Sequence, residues 1–224
     1  VAKGNRGGRG RQVVSTARNS LTVGNQQIEF DGDLPFTIDD PAVNQTQRPL
    51  LTAWEKKREK QKIEYANAIG YNGSVYGEVK GGKGSVSVPH FYHSNKGSVF
   101  THIHPREDGL LGGTFSYGDL QNFVNGANST ARAVAKEGTY SISRGKNFNG
   151  SAFLGYYNTQ YNQLEKAYSA RCKQLRNDVV NKKISYKTFS SESNKAFNTF
   201  LVSLSNVISK GQQTYGYHYY LEKR

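Results

Sequence analysis

Cysteine is nearly absent: Cys172 stands alone in 224 residues, which excludes a disulfide framework and a thiolate zinc cluster. No apolar run approaches the roughly 20 residues needed to cross a bilayer. No apolar segment follows the basic start in the manner of a secretory signal, so a soluble protein, cytoplasmic or virion-associated, is expected. Acidic residues are few, 17 against 30 lysines and arginines, for a formal net charge of +13. That balance points either to an acidic partner (nucleic acid, an anionic surface, an acidic protein) or to a basic solvated surface, and it bears on association rather than fold. Residues 4–11 (GNRGGRGR) have no aromatic side chain between their arginines. Stacking on bases therefore lacks support there, which leaves phosphate contact or a solubilising tail as the readings.

Apolar periodicity is also missing from residues 1–48, for which a flexible basic arm and linker is the expectation. Within it, Glu29, Asp31, Asp33, Asp39 and Asp40 form a local acidic cluster that can fold back on the basic tail or on the domain that follows.

What is present is a core. With 15 tyrosines and 11 phenylalanines, residues 49–224 can bury enough surface for one compact domain. Residues 49–63 read as a helix, with Thr52 as N-cap and Glu55 as its capping-box partner, Glu55 meeting Arg58 and Glu59 along the exposed side. Strands at 64–71 and 74–79 flank Asn72-Gly73, the strongest short hairpin signal. A second turn at 81–84 leads to a third strand at 85–88, stopped by Pro89. His90 and His93, in the turn that follows, read as surface residues. Further on, residues 132–135 and 139–143 read as a hairpin at the edge of the sheet. Residues 158–181 read as a helix whose face carries Tyr161, Leu164, Tyr168, Cys172, Leu175 and Val179. A second helix over 192–209 has Gly211 as its stop, and a β-prone aromatic strand at 215–221 closes the chain.

The chemistry concentrates in residues 98–119, SVFTHIHPREDGLLGGTFSYGD. Side chains alternate along a strand, so His102 and His104 point the same way, with Phe100 on their face and Ile103 opposing it. Pro105 ends the strand, and the loop through Gly112-Gly113 returns the chain to Asp119. Two neutral imidazoles and one carboxylate are the ligand types of a catalytic zinc site, which keeps a fourth position open. A second reading of the same residues is two core histidines and a helix start, with Ser116 or Asp119 capping a helix over 120–127.

His102-x-His104-Pro105 followed by Ser116-x-x-Asp119 resembles the zinc signature of the JAMM (MPN-domain) metalloprotease superfamily. The branch it is most similar to is the His-x-His-Pro one, which includes RadC-like proteins and domains of phage head-morphogenesis proteins and polymorphic toxins. Thr101 before the histidines and the pairs Phe115-Ser116 and Asp119-Leu120 also match. Ten residues separate Pro105 from Ser116, where the family has about seven. The resemblance covers about residues 60–145. It implies Zn2+ held by His102, His104 and Asp119, a glutamate as general base, and Ser116 as a donor to the oxyanion. Glu64, at the start of the first strand, fits the base by position; Glu78 is the alternative, and either can equally be a solvated strand-edge residue.

The expected fold is therefore α+β, a small, mostly antiparallel sheet with a JAMM/cytidine-deaminase-like core, flanked by helices including a C-terminal helical hairpin. The expected function is zinc-dependent hydrolysis of a peptide or isopeptide bond in a protein substrate. Two alternatives stand beside it: a non-enzymatic basic module binding nucleic acid or a capsid through its arm, and a metal-dependent nuclease toxin.

Overall fold

The computed structural model describes residues 18–23, 26–31, 38–105 and 107–223. The chain begins with strands β1 (Arg18–Val23) and β2 (Gln26–Asp31), helix α1 (Gln47–Arg58), and strands β3 (Tyr65–Ile69) and β4 (Val75–Lys80). A short helix α2 (Phe91–Ser94), strand β5 (Val99–Ile103), helix α3 (Tyr117–Asn125), and strands β6 (Thr130–Val134) and β7 (Gly138–Arg144) follow. Two long helices, α4 (Gly150–Val180) and α5 (Tyr186–Tyr215), and strand β8 (Tyr217–Lys223) complete it. Among the described residues, strands β1 and β2 pair only with each other; residues 4–11 of the expected arm lie outside the described residues. No described helix is long and apolar enough to cross a membrane.

The other six strands form one sheet in the order β4-β3-β5-β6-β7-β8. Every neighbouring pair is antiparallel except β5–β6. Parallel neighbours cannot be joined by a tight turn, and α3 makes that crossover. The architecture is thus α+β, with a mixed, mainly antiparallel sheet and flanking helices.

Register assigns the two faces. Ala66, His102, Ala133 and Tyr140 stand in one row across β3, β5, β6 and β7, and Asn67, Thr101, Arg132 and Ser141 in the next. Successive residues project to opposite sides. On the first face Ala131, Ala133, Tyr140 and Ile142 pack under Phe115, just before α3, and Leu120, Phe123, Phe153, Tyr157, Leu204 and Ile208 of α3, α4 and α5. Burying each large apolar side chain of this kind contributes about 1.5–3 kcal/mol. On the second face Leu50 and Leu51 of α1 meet Ile69 and Val99.

The second face also buries a charged cluster. Arg132, 1% exposed, donates to Glu55 of α1 at 2.7 and 3.1 Å and to Glu222 of β8 at 3.0 and 2.6 Å. Burial alone would lower the guanidinium pKa, but the two carboxylates outweigh it and hold it above its ordinary value. Thr101 donates to Glu55 at 2.9 Å. Asp40 accepts from Ser141 at 2.8 Å and Ser143 at 3.2 Å. Of the acidic residues expected to fold back, Asp40 therefore does so on the domain, and Ile38 and Val43 are buried with it.

Several local expectations are corrected. The first helix starts at Gln47, and Pro49 sits within its first turn, where a missing amide proton costs nothing. Asn44 Oδ1 accepts from the amides of Thr46 and Gln47 at 2.9 Å each. Thr52 instead donates back to the Arg48 carbonyl at 2.8 Å, and Glu55 points into the sheet rather than along an exposed side. Residues 85–88 form no strand. The β6–β7 hairpin is not at the sheet edge, because β8 covers β7. Helix α4 begins eight residues earlier than its periodic face suggested, capped by Asn149 Oδ1 accepting from the Ala152 amide at 3.2 Å. Gly211 lies inside α5, and the helix stops at Gly216, whose φ of 71° is left-handed. Cys172 is half-buried rather than in the core.

Candidate metal centre

The centre forms where β5 ends and α3 begins. In β5 the alternation that sends Thr101 and Ile103 to the α1 face sends Phe100 and His102 to the other. His104, just past the strand, is tied to β6 by its amide donating to the Val134 carbonyl at 2.9 Å. His102 is 2% exposed, with its ring stacked on Phe100 at 5.6 Å.

His104 Nδ1 lies 2.9 Å from the Gly112 carbonyl and 3.0 Å from that of Gly113. A carbonyl oxygen can only accept, so Nδ1 carries the proton and Nε2 offers its lone pair. That Nε2 is 2.9 Å from His102 Nε2. His102 Nε2 is in turn 3.5 Å from Asp119 Oδ1. One potential ligand atom from each of His102, His104 and Asp119 lies within 4.8 Å of the others, a grouping capable of holding a metal ion. Two nitrogens bound to one tetrahedral ion stand roughly 3.3 Å apart, so the pair needs only slight opening, and the donor set is that of a three-ligand site.

Asp119 divides its two oxygens. Oδ2 accepts from the Ser116 amide at 2.8 Å and from the Ser116 hydroxyl at 2.7 Å, while the Asp119 amide donates to Ser116 Oγ at 3.2 Å. This is a complete capping box. Oδ1 remains for the imidazoles. The two readings of Asp119 are thus compatible, one oxygen each.

The charges are mutually supporting. Burial alone would raise the Asp119 pKa, but His102, His104 and the Ser116 hydroxyl hold it well below the usual carboxylate range. Burial likewise opposes protonation of His102, yet the carboxylates of Asp119 and Glu64 raise it above an ordinary imidazole. His104 is lowered, by burial and by the neighbouring His102. His102 Nε2, with His104 Nε2 on one side and Asp119 Oδ1 on the other, is where the three potential ligand atoms converge.

Register separates the two glutamates. Ala66 pairs with His102, so Glu64, two residues earlier, falls on the histidine face. Burial raises its carboxyl pKa, with His102 and Asp119 near enough to act on it in opposite senses. Glu78 pairs with Asn67 on the other face. There it accepts from Trp54 at 2.9 Å and from Arg58 at 2.7 and 2.6 Å.

His93 is not a surface residue. It is 9% exposed, its Nδ1 lies 3.2 Å from Asn128 Oδ1, and its ring packs 4.6 Å from that of Phe100. Neither it nor His90 belongs to the metal-binding group. Sequence reasoning missed the groups that hold the loop over the site. Glu137, in the β6–β7 turn, accepts from the amides of Gly112 and Gly113 at 3.0 and 2.8 Å. Asn198 of α5 accepts from the Leu111 amide at 2.9 Å and donates to the Gly109 carbonyl at 3.1 Å. The Gly112-Gly113 pair was the only local signal of this anchoring.

Comparison with protein-family models, with curated proteins and with solved structures gives no match to this chain. The class that the fold and site define is an α+β protein with a His/His/Asp group capable of holding a metal ion.

Proposed function

We propose that the chain is a zinc-dependent hydrolase of peptide or isopeptide bonds, of the JAMM kind that its motif resembles. The observation that carries this reading is the convergence of His102, His104 and Asp119, with Glu64 on the same face of the sheet. Zinc held there would supply a Lewis acid and lower the pKa of a water in the open position. Glu64, its proton affinity raised by burial, takes the proton that the attacking water gives up and passes it to the departing amine. Asp119 stays ionised, its Oδ2 held by Ser116 and its Oδ1 left to hold zinc beside the two histidines. Ser116, once its hydroxyl turns from Asp119 Oδ2, donates to the oxygen on which charge develops. The partner on this reading is a protein substrate. The nucleic-acid alternatives rest on the net charge of +13 and the basic arm, with the nuclease reading drawing on the same histidines.

A panel of peptide and isopeptide-linked substrates, offered to zinc-loaded wild type and to Glu64→Gln, tests the proposal. Turnover by the wild type that falls about 10²–10⁴-fold in the variant, with zinc retained, supports it. Equal turnover by the two, or none by the wild type across the panel, contradicts it.

A further inference from the structure

We infer that Glu137 is a positioning residue of the metal centre, acting on His104 through the Gly112–Gly113 peptide; the inference takes the ligand role of His104 from the proposed function. The Glu137 carboxylate accepts from both glycine amides, Oε2 from Gly112 at 3.0 Å and Oε1 from Gly113 at 2.8 Å. The carbonyls of the same two residues accept the Nδ1 proton of His104 at 2.9 and 3.0 Å. The Gly113 N–H and the Gly112 C=O belong to one peptide group. Negative charge at its N–H end polarises its C=O end, strengthening the bond to His104 by about 10–30 %. A carboxylate is thereby coupled to the imidazole across one peptide, and the imidazole presents Nε2 with its lone pair toward His102 and Asp119. Outer partners of this kind fix the tautomer of a ligating histidine and raise its basicity.

The loop cannot hold this arrangement unaided. Gly113 has a φ of +77°, and a side chain there would meet Leu201. A Cβ on Gly112 would stand 2.7 Å from that of Ala135. Two consecutive glycines are the least constrained of backbones when untethered, so their carbonyls need an external anchor. Tyr140 fixes the anchor in turn, its hydroxyl donating to Glu137 Oε1 at 2.8 Å. Asn198 tethers the same loop, but at the Leu111 amide and the Gly109 carbonyl, whereas His104 bonds to the carbonyls of Gly112 and Gly113.

The test compares wild type with Glu137→Gln, Glu137→Ala and Asn198→Ala. Nitrogen NMR of the metal-free proteins reads the imidazole tautomers, and a competition titration reads zinc affinity. Glu137→Gln keeps one acceptor oxygen and the shape of the turn, and thermal melting reports whether each variant folds. The expected result is loss of the Nδ1–H tautomer of His104, partial in Glu137→Gln and larger in Glu137→Ala, with zinc affinity falling about 10- to 100-fold. Asn198→Ala should lower the melting temperature while keeping both the tautomer and the affinity. A wild-type tautomer and affinity in Glu137→Ala, or matching losses in Asn198→Ala, would reduce Glu137 to a loop anchor and overturn the inference. If wild-type protein bound no zinc, the proposed function would fall, and the tautomer comparison alone would still decide the role of Glu137.

Discussion

His102 and His104 hold their Nε2 atoms 2.9 Å apart, close enough that a single proton or a single metal ion bridges them. Since His104 has committed its Nδ1 proton to the Gly112 and Gly113 carbonyls, the bridging proton of the metal-free protein belongs to His102. A metal at that position requires the proton to leave Nε2, to solvent when His102 is an imidazolium and to Nδ1 when it is neutral.

The pH dependence follows. His102 is raised above its ordinary value of 6.5 by Asp119 and Glu64, despite burial. Below that raised value, zinc affinity should fall about tenfold per pH unit for the one proton displaced, starting at a higher pH than an ordinary imidazole would give. The metal-free protein should behave in the opposite sense. A group whose folded pKa is raised contributes stability that is present below its unfolded pKa and is lost as pH rises through the folded one. Between 6.5 and the raised value, the melting temperature of metal-free protein should therefore decline with rising pH. Zinc titrations and thermal melts over that window check both signs.

Ser116 has an observed role and a proposed one, and a single substitution separates them. Ser116→Ala removes the cap of α3 and should cost about 1 kcal/mol of stability. If the hydroxyl also serves the oxyanion, turnover of the zinc-loaded enzyme should drop about 10²–10³-fold at unchanged zinc content. A stability loss with turnover intact would leave Ser116 as a cap alone.

The two glutamates should part company in the same way. Glu78→Gln weakens the pairing with Trp54 and Arg58 on the α1 face and should leave turnover close to wild type. Comparing its turnover with that of Glu64→Gln checks the face assignment, and a larger loss in Glu78→Gln would reverse it.

On the far face of the sheet, Arg132→Leu leaves Glu55 and Glu222 buried without their cation. The cost should be about 3–5 kcal/mol, read by denaturant unfolding. Because the cluster lies opposite His102, zinc affinity of the folded fraction should be unchanged.

The parts of this protein that were legible in its sequence are those set by local rules. Alternation along residues 99–104 put both histidines on one side, and Ser116 three residues before Asp119 signalled both the helix start and the returning carboxylate. Asn72-Gly73 marked the first hairpin. What stayed hidden depends on partners far along the chain. Glu55 carried a local capping-box pattern, but its partner Arg132 lies 77 residues away, and burial against that cation overrode the cap. Glu137 read as an ordinary turn residue because the amides it anchors lie 24 and 25 residues earlier. His93 looked like a surface residue in a turn, but Phe100 of β5 and Asn128 beyond α3 lie against it. The residues 85–88 alternate like a strand, yet Gly81 runs so close to Val86 and the Ser85 carbonyl that the chain folds back there without extending the sheet.

Elemental analysis of purified protein, beside a His102→Ala/His104→Ala control, tests the central claim most directly. The account predicts about one zinc per chain in the wild type and none in the control. Wild-type protein that takes up no zinc at neutral pH, even when zinc is supplied, would contradict it.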